Sequence, residues 1–243
     1  MVNSRIRLGM LTPSSNTVLE PMTSLMISGL PEVTLHFARF SVTEISLSPQ
    51  ALDQFENKNI LGAARLLADA RVDVIGWNGT SSGWMGFEVD ERLCSEITAA
   101  TGIPSTTSVL ALNEILAERN QQEFALVTPY TDEVQRRIVE VYTRSGFRCV
   151  AERHLGLHVN FSFSEVTENE ILQAVYEVAA ARPQAISTFC TNLRAAHLAM
   201  RLERELRIPV YDTISTVVWK SLRLAGVDPR RIEGWGSLFS GGV

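Results

Sequence analysis

The sharpest chemical signal in the sequence is a thiol. Cys190 follows the apolar run Ala185–Phe189 and precedes the polar pair Thr191-Asn192, after which a helical pattern begins. Backbone N–H groups and the positive end of a following helix lower a thiol's pKa from about 8.5. A thiol so placed can attack an electrophilic carbon or hand over a proton. The bland alternative is a buried structural cysteine, since free Cys is among the most buried residue types. Cys94, between Leu93 and Ile97 of a helical stretch, and Cys149, beside Val150 in a strand, take that alternative and are expected in the core.

Other loops offer groups that hold an anion. Asn78-Gly79-Thr80-Ser81-Ser82-Gly83 follows an apolar run, and its amides and hydroxyls could cradle a carboxylate or an enediolate. It is not a phosphate loop, because it lacks the lysine of GxxxxGK[ST] and the spacing of GxGxxG. Pro13-Ser14-Ser15-Asn16-Thr17 carries more polar groups than one helix cap requires. Tyr130 adds a phenol, with a surface tyrosine as the alternative, and Asn160 is an amide in a loop. Trp77, Trp84, Met85 and Phe87 could wall an aryl pocket, or belong to the core or a flap.

The elements that must position these groups alternate between strand and helix patterns. Arg5–Leu11, Val33–Phe40, Val72–Trp77, Glu123–Thr128, Phe147–Leu155 and Ala185–Phe189 read as strands. Thr17–Met26, Leu52–Ala70, Asp90–Thr101, Val109–Ala117, Thr131–Ser145, Thr167–Ala181, Leu193–Leu206 and Val217–Leu224 read as helices. Thr131 is a candidate cap, Thr167 and Glu170 are spaced as a capping box, and Gly102, Gly146 and Gly226 suit helix stops. Such alternation predicts mostly parallel sheets with helices on both faces.

The pattern also starts again halfway. Leu11-Thr12-Pro13 matches Val127-Thr128-Pro129. Ala70-Arg71, Val74-Ile75 and Gly79-Thr80 match Ala181-Arg182, Ala185-Ile186 and Cys190-Thr191. Gly102-Ile103-Pro104 matches Arg207-Ile208-Pro209. Matches in the same order imply a duplicated α/β unit, with residues 1–110 and 217–243 as the first half and 111–216 as the second. Ligands of a parallel sheet bind beyond the carboxyl ends of its strands. Two halves related by a pseudo-two-fold would face those ends into one cleft. That nominates the loops Thr12–Thr17, Asn78–Ser82, Thr128–Thr131 and Cys190–Asn192.

With 243 residues, 45% of them hydrophobic and 20% charged, the chain has the composition of an ordinary globular protein. A net charge of -5 with no basic stripe argues against nucleic-acid binding. No apolar run reaches the ~20 residues of a membrane helix. Met1–Arg7 is not followed by an apolar segment with a cleavage site, so cytoplasmic, reduced thiols are expected for the three cysteines. The scattered histidines His36, His154, His158 and His197 give no metal-ligand spacing, so no metal site is expected.

With these residues in hand, the chain resembles the cofactor-independent aspartate/glutamate racemase superfamily, in its maleate cis-trans isomerase and arylmalonate decarboxylase branch. The likeness covers nearly the whole length and rests on Thr12-Pro13-Ser14-Ser15-Asn16-Thr17-Val18-Leu19-Glu20-Pro21, Thr128-Pro129-Tyr130, Asn160, Cys190 and Gly234-Trp235-Gly236-Ser237-Leu238-Phe239. It implies two pseudo-symmetric, flavodoxin-like (Rossmann-like) halves with the active site in the cleft between them. It implies that Asn16, Tyr130 and Asn160 hold the carboxylates of a small dicarboxylate substrate.

The racemases and maleate isomerases of the superfamily carry a cysteine in each half, and the repeat puts the first at position 79, here Gly79. The decarboxylases resemble this chain in having glycine there and one cysteine in the second half. Three readings follow. One is a decarboxylase of a malonate-type diacid, with Cys190 protonating an enediolate held by Gly79, Thr80, Ser81 and Tyr130, and with Pro13, Ser14, Asn16, Asn160 and Thr191 binding the substrate. The second is an isomerase of maleate-like diacids or another racemase of the superfamily. The third is a non-catalytic organic-acid binding protein. The sequence leaves the oligomeric state open.

Overall fold

The computed structural model describes residues 5–55 and 57–241. Residues 1–4 of the N-terminal stretch, Glu56 and the last two residues lie outside it. The first sheet is built from β1 (Ile6–Pro13), β2 (Val33–Phe40), β3 (Val74–Trp77) and β4 (Ser105–Thr107), in the order β2-β1-β3-β4. The second is built from β5 (Glu123–Thr128), β6 (Arg148–His154), β7 (Ala185–Thr188) and β8 (Val210–Asp212), in the order β6-β5-β7-β8. Every pairing between these eight strands is parallel. A parallel sheet must be covered on both faces, and β3 and β7 are accordingly buried at every position. The two halves share one strand order, as a duplication requires.

The repeat extends to backbone conformation. Arg71 and Arg182, which match in sequence, both hold a positive φ, of 52° and 51°. Gly102 ends the helix Phe87–Thr101 at φ 74°, and its counterpart Arg207 ends the helix Ala199–Leu206 at φ 58°. Glycine takes this left-handed conformation freely and arginine does not. The second half therefore keeps the geometry of the stop without the residue best suited to it.

Several elements differ from the sequence reading. The three-residue strands β4 and β8 are too short to show a period, although the Ile-Pro anchors sit directly before them. Leu52–Ala70 is not one helix: Pro49–Asp53 and Asn57–Asp69 are separate. Thr131 stands at the cap of the helix Asp132–Arg144, but its side chain makes no capping bond, whereas Thr167 and Glu170 do form the capping box. Leu193–Leu206 is helical only from Ala199, after a 3-10 turn at Ala196–Leu198. The final long helix starts at Thr213 rather than Val217, capped by the Asp212 carboxylate on the Ile214 N–H at 2.8 Å.

The halves are tied together beyond the strand ends. Ile45 N–H donates to the His158 carbonyl at 2.8 Å and Asn160 N–H to the Thr43 carbonyl at 2.9 Å. The loop after β2 is thereby held against the loop after β6. Among the described residues, no helix is long and apolar enough to cross a membrane.

Candidate active site

The loops after β1, β3, β5 and β7 meet where the carboxyl ends of the two sheets face each other. They close on a small cavity of about 20 Å³. Pro13, Gly79, Thr80, Ser81, Tyr130, Asn160, Cys190 and Thr191 line it, with an apolar wall of Val42, Ile45, Phe55, Trp77 and Trp84. The lone thiol and the glycine of the other half thus share one pocket.

Two of the residues nominated from sequence stand behind this lining. Ser14 exchanges hydrogen bonds with the backbone of Val42, accepting from its N–H at 3.1 Å. Asn16 is 1% exposed. Its amide donates to Thr191 O and Oγ1 at 3.0 and 3.2 Å, and its carbonyl oxygen accepts from the N–H groups of Val18 and Leu19. With both ends engaged, Asn16 braces the two halves and the start of the helix Leu19–Met26. Thr191 passes the brace on by donating to the Asn78 carbonyl at 3.1 Å. Asn160 donates to Ser15 Oγ at 2.7 Å, and Asn192 donates to the Asn160 carbonyl at 2.6 Å. These crossing bonds fix the pocket's shape before any ligand enters.

One side of the cavity is well supplied with donors. The Thr80 and Tyr130 hydroxyls are 2.6 Å apart. The backbone N–H groups of Gly79, Thr80 and Ser81 meet no acceptor among the described residues. Trp84 Nε1 is likewise a buried donor without a partner. Each such group costs about 1–3 kcal/mol when left unsatisfied, so an oxyanion in the cavity would recover that loss. No group of three His, Cys, Asp or Glu among the described residues could hold a metal ion.

Burial pushes the Cys190 thiol up to about 12, although the Asn192 N–H at 3.3 Å and the Tyr130 hydroxyl favour its anion. The lowering that a following helix could give is therefore not seen. The helix expected to start just after Cys190 begins at Ala199, so its dipole is not delivered to the sulfur. Cys190 is a protonated, buried thiol, 3% exposed. Desolvation likewise raises the Tyr130 hydroxyl well above its ordinary value, and Tyr130 is not a surface residue. Cys94 and Cys149 lie outside the cavity and are half-buried rather than core.

The aromatic residues divide. Trp77 and Trp84 line the cavity, while Met85 and Phe87 border a separate cleft beside Arg137. Trp77 also covers Gly79. A Cβ added to that glycine would sit 2.0 Å from Trp77 Cζ2 and 2.4 Å from Cε2. Sequence reading named Trp77 only as a wall candidate. Nothing in the pattern signals that its ring takes the place of a side chain two residues on. Val42, Ile45 and Phe55 were missed altogether, because isolated apolar residues in a loop carry no period.

Comparison with known proteins agrees with this architecture. A family model described as arylmalonate decarboxylase matches residues 8–239. The maleate isomerase of Geobacillus stearothermophilus is 23% identical, over 97% of this chain and 97% of its own. The arylmalonate decarboxylase of Bordetella bronchiseptica is 25% identical, over 96% of this chain and 95% of its own. The crystal structure of the maleate isomerase Iso from Pseudomonas putida S16 has a TM-score of 0.89 at 21% identity, covering 97% of this chain and 98% of that one.

Proposed function

The chain belongs to the arylmalonate decarboxylase family, within the aspartate/glutamate racemase superfamily, and from that premise we propose that it is a cofactor-independent decarboxylase of a malonate-type dicarboxylate. Membership makes it an enzyme of decarboxylase or isomerase type. The observation that carries the choice is the pairing of a single protonated thiol with a glycine capped by Trp77. One face of a bound substrate has a proton donor and the other has none.

The reaction follows from the lining. One carboxylate accepts hydrogen bonds from Thr80, Ser81, Tyr130 and the free amides of the Gly79 loop. The other faces Val42, Ile45, Phe55 and Trp77, where its charge is poorly solvated. The bond from that carboxylate to the α-carbon breaks and CO₂ leaves. The electron pair enters the retained carboxylate as an enediolate. Preorganised donors stabilise the growing charge, each worth ~2.7–4 kcal/mol. Cys190 then gives its proton to the α-carbon, and solvent restores the thiol. A thiol raised to about 12 suits a donor and not a resting thiolate nucleophile.

Likeness to known proteins favours a second reading, cis-trans isomerisation of a maleate-like diacid. Two of the three relatives described above are maleate isomerases, and the polar Ser14-Ser15-Asn16 loop leans the same way. The test is proton NMR in deuterated water with malonate, methylmalonate and maleate supplied separately. The proposal expects loss of CO₂ from a malonate and one deuteron in the product. Conversion of maleate to fumarate with the malonates untouched would replace it with the second reading.

A further inference from the structure

The family is named for aryl substrates, yet the floor of this pocket is already occupied by an aromatic ring. The Trp77 atoms Cζ2, Cε2 and Cη2 lie 2.0, 2.4 and 2.6 Å from where a Cβ on Gly79 would stand. The indole therefore fills the volume a side chain at 79 would take. Its position is fixed from both sides. Its backbone is the last residue of β3, paired with Leu11 and Thr107, and its ring packs on Phe40 with centroids 5.0 Å apart. Trp77 is 1% exposed, so it has no solvent to swing into.

The aromatic residues beside it are equally rigid. Phe55, Trp84, Tyr130 and Phe163 stand edge to face in a chain, with centroids 6.0, 5.4 and 5.5 Å apart. The cavity left is only about 20 Å³, far below the roughly 300–1,000 Å³ of ordinary small-molecule sites, so nothing bulky fits without the walls giving way. Several lining groups around it are hydroxyls and amides that a diacid's own oxygens would fill.

We propose that Trp77 is the specificity-determining residue of this site and restricts it to short aliphatic diacids, excluding any that carry an aryl group. The inference rests on the reading of the cavity as a diacid site. It is independent of whether the bound diacid is decarboxylated or isomerised. The indole takes the room an aryl group needs, and the carboxylate donors around Thr80 and Tyr130 stay available to a smaller substrate.

The test compares malonate, methylmalonate, maleate and phenylmalonate on the full chain and on Trp77→Leu and Trp77→Phe. Binding is read by calorimetry and turnover by NMR. In the native protein, phenylmalonate should trail methylmalonate by at least about 100-fold in kcat/KM, the scale on which shaped pockets discriminate. Trp77→Leu should shift that ratio toward phenylmalonate by about tenfold or more, and Trp77→Phe by less. Phenylmalonate handled as well as methylmalonate by the native protein would overturn the proposal, as would an unchanged ratio in a folded Trp77→Leu. If no malonate is turned over, the decarboxylase reading fails and the size claim is decided by binding alone. Short diacids must then bind and phenylmalonate must not. Failure of every short diacid to bind would overturn it.

Discussion

Restoring a cysteine at position 79 tests the geometry directly. From the match of Gly79 to Cys190 in the repeat alone, Gly79→Cys would install a second proton donor opposite Cys190 and give some racemase activity. The structure alters that expectation. The new Cβ would lie 2.0 Å from Trp77 Cζ2, far inside contact distance, and the ring cannot yield cheaply because Phe40 backs it. Overpacking of this kind costs about 1–3 kcal/mol. For a chain of this size that corresponds to a fall of very roughly 2–12 °C in Tm, at about 2–4 °C per kcal/mol. Gly79→Cys alone should therefore melt early, shift its tryptophan fluorescence, and bind diacids worse. In a Trp77→Leu background, where the overlap is gone, Gly79→Cys should cost little further melting temperature beyond what Trp77→Leu itself costs. Only the double variant should racemise an enantiopure product, seen as deuterium uptake at the α-carbon. Calorimetric melting, emission spectra and chiral chromatography read these outcomes. A Gly79→Cys protein with native Tm and unchanged emission would refute the argument from the Trp77 contact.

Three other outcomes follow from the same geometry. Tyr130→Phe removes a donor 2.6 Å from Thr80 Oγ1; kcat should fall about 10²–10³-fold with the fold intact, as for the loss of an oxyanion donor, and a change confined to KM would contradict this. Burial raises the carboxyls of Asp212 to about 7 and Asp90 to about 6. The native state therefore holds these protons more tightly than the unfolded chain does, and their contribution to stability falls as pH rises from about 4 to about 7. The Tm should climb when the pH is lowered from 8 toward 5.5, and Asp212→Asn should flatten that slope. Arg207→Gly relieves a left-handed residue at a helix end and should stabilise the chain by up to about 1–2 kcal/mol, measured by urea denaturation; destabilisation would mean the Arg207 side chain contributes more than its strain.

Much of the architecture was legible because duplication leaves a sequence signature. The Thr-Pro, Ala-Arg and Ile-Pro anchors each mark a conserved backbone event, down to the matched left-handed arginines 71 and 182. The loops at strand ends were legible because parallel sheets place them there. What stayed hidden is three-dimensional. Asn16 has the chemistry of a substrate ligand, but its amide is consumed by Thr191 and by the turn it caps. Cys190 has the local sequence of an activated thiol, but the chain runs through a turn for several residues before the next helix. Burial then outweighs its hydrogen bonds. The covering of Gly79 by Trp77 depends on a rotamer, which no spacing encodes.

The account stands on Cys190 as a proton donor to one face of an enediolate. The direct measurement is single-turnover decarboxylation of a small malonate in deuterated water by the native protein and by Cys190→Ser. The account predicts a loss of about 10²–10⁴-fold in product formation, the range of general acid catalysis, with diacid binding retained. A Cys190→Ser protein that releases CO₂ and delivers labelled product at the native rate would contradict it.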